Sequence, residues 1–260
     1  MRQFRYNLIF LAITLVTACA TLTVMPSTTT ASNKAIILFI PDTDWPPYLI
    51  SDSNHPDKGV FVEVLMAVAT PLGYTVQTRR LPNKRGWLLL EEGVVDAHPK
   101  AKEWIKNPER YNWTDPFMTN EDVLLYTASK DSKFTNPESL FGKTVATING
   151  FIYPALEKHF ASGEIKRVDV ASPYAMLGLL DLNRVDAALV NRSETQWLFR
   201  NRPDLKPEKF HMDDTPFDSA EYRYAFTKSK DWQPFITEFN EALNTMKQNG
   251  QLKAILDQYR

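Results

Sequence analysis

A chain of 260 residues, 43% of them hydrophobic and 23% charged, has apolar material for one large domain or two modest ones, which excludes a disordered or fibrous protein. Its 30 basic and 31 acidic residues leave a net charge of −1 and exclude the basic surface that nucleic acid requires. The single cysteine, Cys19, excludes a disulfide framework and a cysteine metal site.

The N-terminus carries Arg2 and Arg5 ahead of an apolar run, Leu8 to Val16, that is too short to span a bilayer comfortably; this is the arrangement of an export signal. Two processing sites fit it. Val16-Thr17-Ala18-Cys19 has the form of a bacterial lipobox and makes Cys19 the acylated first residue, followed by a Ser/Thr-rich tether up to Asn33. Thr29-Thr30-Ala31 offers the small residues of an ordinary signal-peptidase site. A retained anchor from Leu8 to Met25 is diluted by Thr, Cys and Ala. Residues 1–31 are read as leader and tether, and either cut lowers the 30 basic residues to 28 against 31 acidic ones, a net of −3.

Ala35 to Ile40 is a continuous apolar run of buried-strand length, stopped at Pro41. The loop Pro41-Asp-Thr-Asp-Trp-Pro-Pro-Tyr48 follows, stiffened by prolines that fix φ. Val60 to Leu72 has helical spacing and stops at Gly73, and Tyr74 to Leu81 reads as a second strand. Trp87 to Glu92 reads as a helix closed at Gly93, where glycine tolerates the left-handed conformation. Val94-Val95-Asp96-Ala97 then reads as a short buried strand whose carboxyl end delivers His98, Lys100 and Lys102, and open α/β sheets bind ligands outside those ends.

Val123 to Thr127 is a strand, and the polar segment Ser129–Asn136 reads as a crossing into a second lobe. There Thr144 to Ile148, Arg167 to Val170 and Ala187 to Val190 read as strands, with helices reaching His159 and running from Tyr174 to Leu182. Leu180, Asn183, Val185, Asp186 and Ala187 repeat the spacing of Leu90, Gly93, Val95, Asp96 and Ala97, with Asn183 as the other residue that accepts the left-handed conformation. Two such strand ends suggest two similar lobes facing one cleft. Glu221 to Thr227 suits a returning strand. Trp232 to Tyr259 places Phe235, Ile236, Phe239, Leu243 and Met246 on one helical face and breaks near Gly250. Strands alternating with helices imply parallel sheets flanked by helices.

These pieces, in order, resemble the polar amino-acid type of bacterial extracellular solute-binding proteins, family 3. The residues that carry the resemblance are Asp42-Thr-Asp-Trp-Pro-Pro-Tyr48, Gly59 to Ala69, Gly93-Val-Val-Asp96-Ala, Pro108-Glu-Arg110 with Thr114-Asp-Pro-Phe117, Leu140 to Ala146 with Gly150, and Asn183-Arg-Val-Asp-Ala187. The resemblance implies an α/β, two-lobed periplasmic-binding-protein-like fold of type II, with a discontinuous first lobe of residues 35–127 plus 222–260. The second lobe, with the hinge crossings, is 128–221. The lobes close like a hinge on a ligand between them. It further implies an exported, periplasmic monomer that serves an inner-membrane ABC permease and touches the membrane only through a lipid anchor on Cys19, if that residue is acylated.

In such proteins an aromatic from the first loop stacks on the ligand, an arginine after the third strand holds its carboxylate, and an acid on the second lobe holds its ammonium. Trp45 occupies the aromatic position, Arg110 the arginine position, and Asn191 stands where the acid is expected. Asp42 and Tyr48 share the first loop; Phe151 and Tyr153 follow Gly150, where hydroxyl residues are usual; Lys100 and Lys102 replace small hydroxyl residues. A neutral amide cannot make the charge-assisted bond that an ammonium prefers. The expected cleft therefore has stacking faces and surplus positive charge, suited to a small polar solute of anionic or aromatic character. Arg85 reads as a helix-surface residue.

His55, His98, His159 and His211 show no metal spacing, and the sequence contains no nucleophile elbow or phosphate loop, so neither metal nor cofactor is expected. The chain is read as a binding protein and not an enzyme. An enzyme on the same scaffold, such as a dehydratase of prephenate or arogenate, is the alternative, with His98, Glu103 or Glu194 as its acid or base. A stand-alone sensory module differs only in its partner, and because the chain ends at Arg260 no kinase or transglycosylase domain is expected beyond it.

Overall fold

The computed structural model describes residues 34–52, 55–129, 134 and 136–259. The leader, both processing sites and Cys19 lie outside the described residues, as does most of the polar segment 129–136. In chain order the first elements are β1 (Lys34–Pro41), β2 (Ile50–Asp52), β3 (His55–Lys58), α1 (Val60–Ala69), β4 (Tyr74–Leu81), α2 (Asn83–Glu91), β5 (Ala97–Ala101), β6 (Tyr111–Trp113) and β7 (Met118–Thr127). Then come β8 (Thr144–Ile148), α3 (Glu157–Ser162), β9 (Lys166–Val170), α4 (Pro173–Asp181), β10 (Ala187–Asn191), α5 (Arg192–Asn201), β11 (Phe210–Met212), β12 (Asp218–Thr227), α6 (Gln233–Gln248) and α7 (Gln251–Asp257).

The main strand order is β4-β1-β5-β12-β7-β10-β8-β9. At one end β4, β1 and β5 run parallel; at the other β10, β8 and β9 run parallel; the antiparallel strands β12 and β7 join the two ends. The two expected sheets thus run together through these long strands. Met118 packs into the core of the first half, whereas Val123 to Tyr126 pack into the cores of the second. β7 thus reaches from one half into the other, its backbone groups paired with β12 on one side and β10 on the other.

The first half holds the largest core, in which α1, α6 and the aromatic residues of β12 meet: Phe61, Tyr222, Tyr224, Phe226, Phe235, Ile236, Phe239, Leu243 and Met246 are buried together. The second half has a core on each face of its strands, one with Leu124, Val145 and Leu189, the other with Leu125, Ala146 and Ala188, as period-two alternation requires.

The repeated Asp signature is a structural device. In the first copy Asp96 accepts the Ile37 N–H at 2.8 Å through its side chain and donates its own N–H to the Ile37 carbonyl at 2.8 Å. In the second, Asp186 does the same with Thr144, at 2.9 and 2.8 Å. Gly93 and Asn183, at φ of 73° and 52°, close the preceding helices in the left-handed region. Each aspartate staples an incoming strand to the one beside it. The first strand consequently begins at Ala97 and not at Val94, and His98 and Lys100 lie within it rather than beyond its end.

Candidate functional site: an acid pair among aromatic faces

The loop after β1 is held by charge. Asp44 accepts from the Ser51 N–H at 3.0 Å and hydroxyl at 2.6 Å and pairs with Arg80 at 2.9 Å, while Arg80 also reaches Asp57 at 2.7 Å. Burial pushes the Asp44 carboxyl up, but the Ser51 bonds and Arg80 outweigh it and hold it below the usual range. The Trp45 and Leu49 backbones bond to each other, and the loop lies against Gly59, where a Cβ would fall 2.4 Å from the Tyr48 carbonyl oxygen. So fixed, Trp45 lies with its ring 4.6 Å from Tyr48 and 6.3 Å from Tyr222.

The second half meets this loop through the end of β10. Asn191 caps α5: its side-chain oxygen accepts the Glu194 N–H at 2.9 Å and the Tyr48 hydroxyl at 2.8 Å, and its amide donates to Asn120. Tyr48 also donates to Asn120 at 3.2 Å. The cap places Glu194 one turn into the helix, near the Trp45 side chain, which favours its ionised form. Asp122, from β7, faces Asp218 across the strand pair, with Asn120 beside it favouring its ionised form.

Burial is the main reason that Glu194 is pushed up to about 7, with the Asp122 charge adding to it and the Trp45 side chain opposing it. Asp122 is likewise pushed up to about 7, first by burial and then by Asp218. Among the described residues neither carboxylate is in an ion pair. Two carboxylates in one desolvated cluster repel each other and share protons near neutrality, unless a cation relieves them. Lys100 is half-buried, its pKa lowered by that burial, with Nζ 5.5 Å from the Trp104 ring centre; Trp104 in turn lies edge-on to Tyr222 at 5.7 Å. Lys100 has no ion-pair partner among the described residues. The region thus gathers aromatic faces and two carboxylates, with the ammonium group of Lys100 beyond Tyr222 and Trp104.

The structure brings Trp45, Tyr48, Lys100 and Asn191 to this region, with altered parts for two of them. Tyr48 is fully buried and stacked on Phe61 at 5.1 Å, so only its hydroxyl reaches the second half. Asn191 is a helix cap. Tyr153 is buried beneath its loop, accepting the Ile148 N–H at 3.1 Å, while Phe151 stands exposed. Asp42 is exposed at the end of β1. Arg110 pairs with Glu91 at 2.8 Å, beside the Tyr111 hydroxyl on the same carboxylate, and is about half exposed. Lys102 is exposed and lines a separate open depression of about 610 Å³ with Glu103, Trp113 and Arg223. The expected surplus of positive charge is thus reduced to Lys100.

Of the catalytic alternatives, His98 is in the core, stacked 4.3 Å from Phe39 with Nδ1 3.0 Å from the Phe39 carbonyl oxygen; burial pushes its pKa down to about 3, so Nδ1–H donates and the ring stays neutral. Glu103 is exposed. Sequence reading missed Asp122 and gave Glu194 no binding part. Asn191-x-x-Glu194 is a capping pattern that marks the start of α5, itself absent from the expected elements. No comparable signal marks Asp122, which lies mid-strand.

The family model for "Bacterial extracellular solute-binding proteins, family 3" matches residues 37–260. The chain is 24% identical over 249 residues to the "Arginine-binding extracellular protein ArtP" of Bacillus subtilis, covering 93% of this chain and 94% of that one. It is 26% identical over 214 residues to a "Probable amino-acid ABC transporter-binding protein" of Haemophilus influenzae, covering 80% and 78%. Its fold is similar to substrate-binding domain 2 of GlnP from Lactococcus lactis, solved in an open conformation, with a TM-score of 0.69 at 17% identity over 88% of this chain and 96% of that one. The chain belongs to the bacterial extracellular solute-binding proteins, family 3, and has the type II periplasmic-binding-protein fold.

Proposed function

We propose that this protein captures an amino-acid-type solute between its two halves and delivers it to an ABC-type permease. The observation that carries the reading is the pair Asp122 and Glu194, both raised to about 7 and without a cation partner among the described residues. An ammonium group between them removes the repulsion and gains charge-assisted hydrogen bonds. Lys100 takes the carboxylate, and Trp45 and Trp104 cover the body of the solute. With one proton shared between the acids, Lys100 balances the charge left on the pair. A purely anionic solute finds two carboxylates there, so the anionic half of the sequence expectation is set aside and the aromatic half is kept.

The names of the relatives support the amino-acid class, and the arginine binder adds that a further cation on the side chain is compatible with such a scaffold. The site roles of Trp45, Lys100 and Glu194, and membership of a transport system, are parts of this proposal. A thermal-shift screen tests it, because a ligand that binds only the folded state raises the melting midpoint with its concentration. L-amino acids shift the wild type, and Asp122→Asn, Glu194→Gln and Lys100→Met each reduce that shift. Midpoints that no amino acid moves overturn the reading, and turnover of the same compounds would return attention to Glu194 as a general acid.

A further inference from the structure

The loop after β8 replaces the usual hydroxyl residues with Phe151 and Ile152, and both are left in solvent, 51% and 76% exposed. Their backbone is nevertheless tightly held. Arg167 donates to the Phe151 carbonyl at 2.8 Å, to Asp169 at 2.8 Å and to Glu157 at 3.2 Å, and its guanidinium lies 5.6 Å from the Tyr153 ring and 5.3 Å from Phe160. The Tyr153 N–H donates to Glu157 at 3.0 Å, and Gly150 takes φ of 78° to turn the chain out of the strand. A rigid mount that presents two adjacent apolar side chains to water is unfavourable unless something covers them.

Their position says what covers them. β8 runs parallel to β10, so this loop leaves the sheet at the same edge as Asn191, which touches Tyr48 of the first half. The loop therefore borders the cleft. On the first half Trp104, 37% exposed, stands over Lys100 and Tyr222. We propose that Phe151 and Ile152, with Trp104, form an apolar mouth that selects amino acids carrying an aromatic or branched aliphatic side chain. This rests on the capture reading above and narrows its ligand class. The acids and Lys100 hold the groups common to all amino acids, while the mouth contacts only the part that varies. One or two methylenes in an apolar contact change affinity by about 10- to 200-fold, enough to set a preference.

The test is calorimetric titration of the wild type and of the double variant Phe151→Ser/Ile152→Ser with L-alanine, L-leucine, L-phenylalanine and L-arginine. Both replaced side chains are exposed, and an unchanged melting midpoint without ligand confirms that the fold is kept. The wild type is expected to bind leucine or phenylalanine at least about tenfold more tightly than alanine or arginine, and the variant to lose that margin while alanine changes less than about twofold. A wild type that prefers arginine, or a variant that retains the preference, overturns the inference alone. A variant in which all ligands weaken equally also overturns it, since that marks a general role in closure. A wild type that binds none of the four overturns the inference, and the capture reading falls with it only if no L-amino acid raises the melting midpoint either.

Discussion

Glu194→Gln separates a binding carboxylate from a structural one, because the two make opposite predictions for stability. In the unfolded chain this carboxyl ionises near 4.5; in the folded protein it does so near 7, chiefly through burial. The folded state binds the proton more tightly, so stability is full below the lower value and falls as pH rises from about 4.5 to about 7. Above that range the ionised group costs at most roughly 3 kcal/mol. Glutamine keeps the size of the side chain and does not ionise. The variant is therefore more stable than the wild type at pH 8, its melting midpoint rising by roughly 5–10 °C at the full cost. At pH 4, where the wild-type carboxyl is protonated, the difference vanishes. The same variant loses the charge-assisted bond to an ammonium and binds amino acids about 10- to 100-fold more weakly. Scanning calorimetry at the two pH values, with titration at pH 7.5, reads all three outcomes. A midpoint that falls at pH 8, or rises equally at both pH values, would mean that Glu194 is not a desolvated carboxylate awaiting a cation.

Tyr48→Phe removes the hydroxyl that joins Asn191 and Asn120 and leaves both amides short of a partner, which lowers stability by about 1–2 kcal/mol in urea unfolding and weakens closure on ligand. Arg110→Ala leaves amino-acid affinity within about twofold, because its partner is Glu91 and not the solute; loss of binding would restore it to the cleft. Gly86→Ala puts a Cβ about 2.0 Å from the Phe39 ring, so the helix-propensity gain is outweighed by overpacking of about 1–3 kcal/mol, read from the urea midpoint.

Most of the fold was legible because its signals are periodic. The apolar face of α6 followed from its period and the strands 74–81 and 144–148 from local pattern, while the strand 187–190 followed from the Val-Asp-Ala repeat, which also pointed to two similar halves. The start of β5 was misplaced because Val94 and Val95 look like strand residues, while the pairing with β12 that defines the strand is non-local. Helix α5 escaped because its apolar residues, Trp197 to Phe199, cluster in its second half and leave its first turns to the Asn191 cap. The candidate site was half legible. A loop tryptophan and a strand-end lysine are local features, whereas Asp122 and Glu194 become a pair only when a crossing strand and a helix start come together. Arg110 matched its motif, and the chain also offers it Glu91 as an ion-pair partner, a non-local pairing that the motif does not show.

On the capture reading, the acids in this cleft hold an ammonium group. Calorimetric titration of the wild type at pH 7.5 with L-phenylalanine, L-leucine and L-arginine, each beside the acid that lacks only the α-amino group, measures this most directly. At least one of the amino acids binds, and its deaminated partner binds at least about tenfold more weakly, as loss of a charge-assisted hydrogen bond requires. Equal or tighter binding of the deaminated acid would mean that Asp122 and Glu194 do not face the solute, and that the cleft takes anions through Lys100.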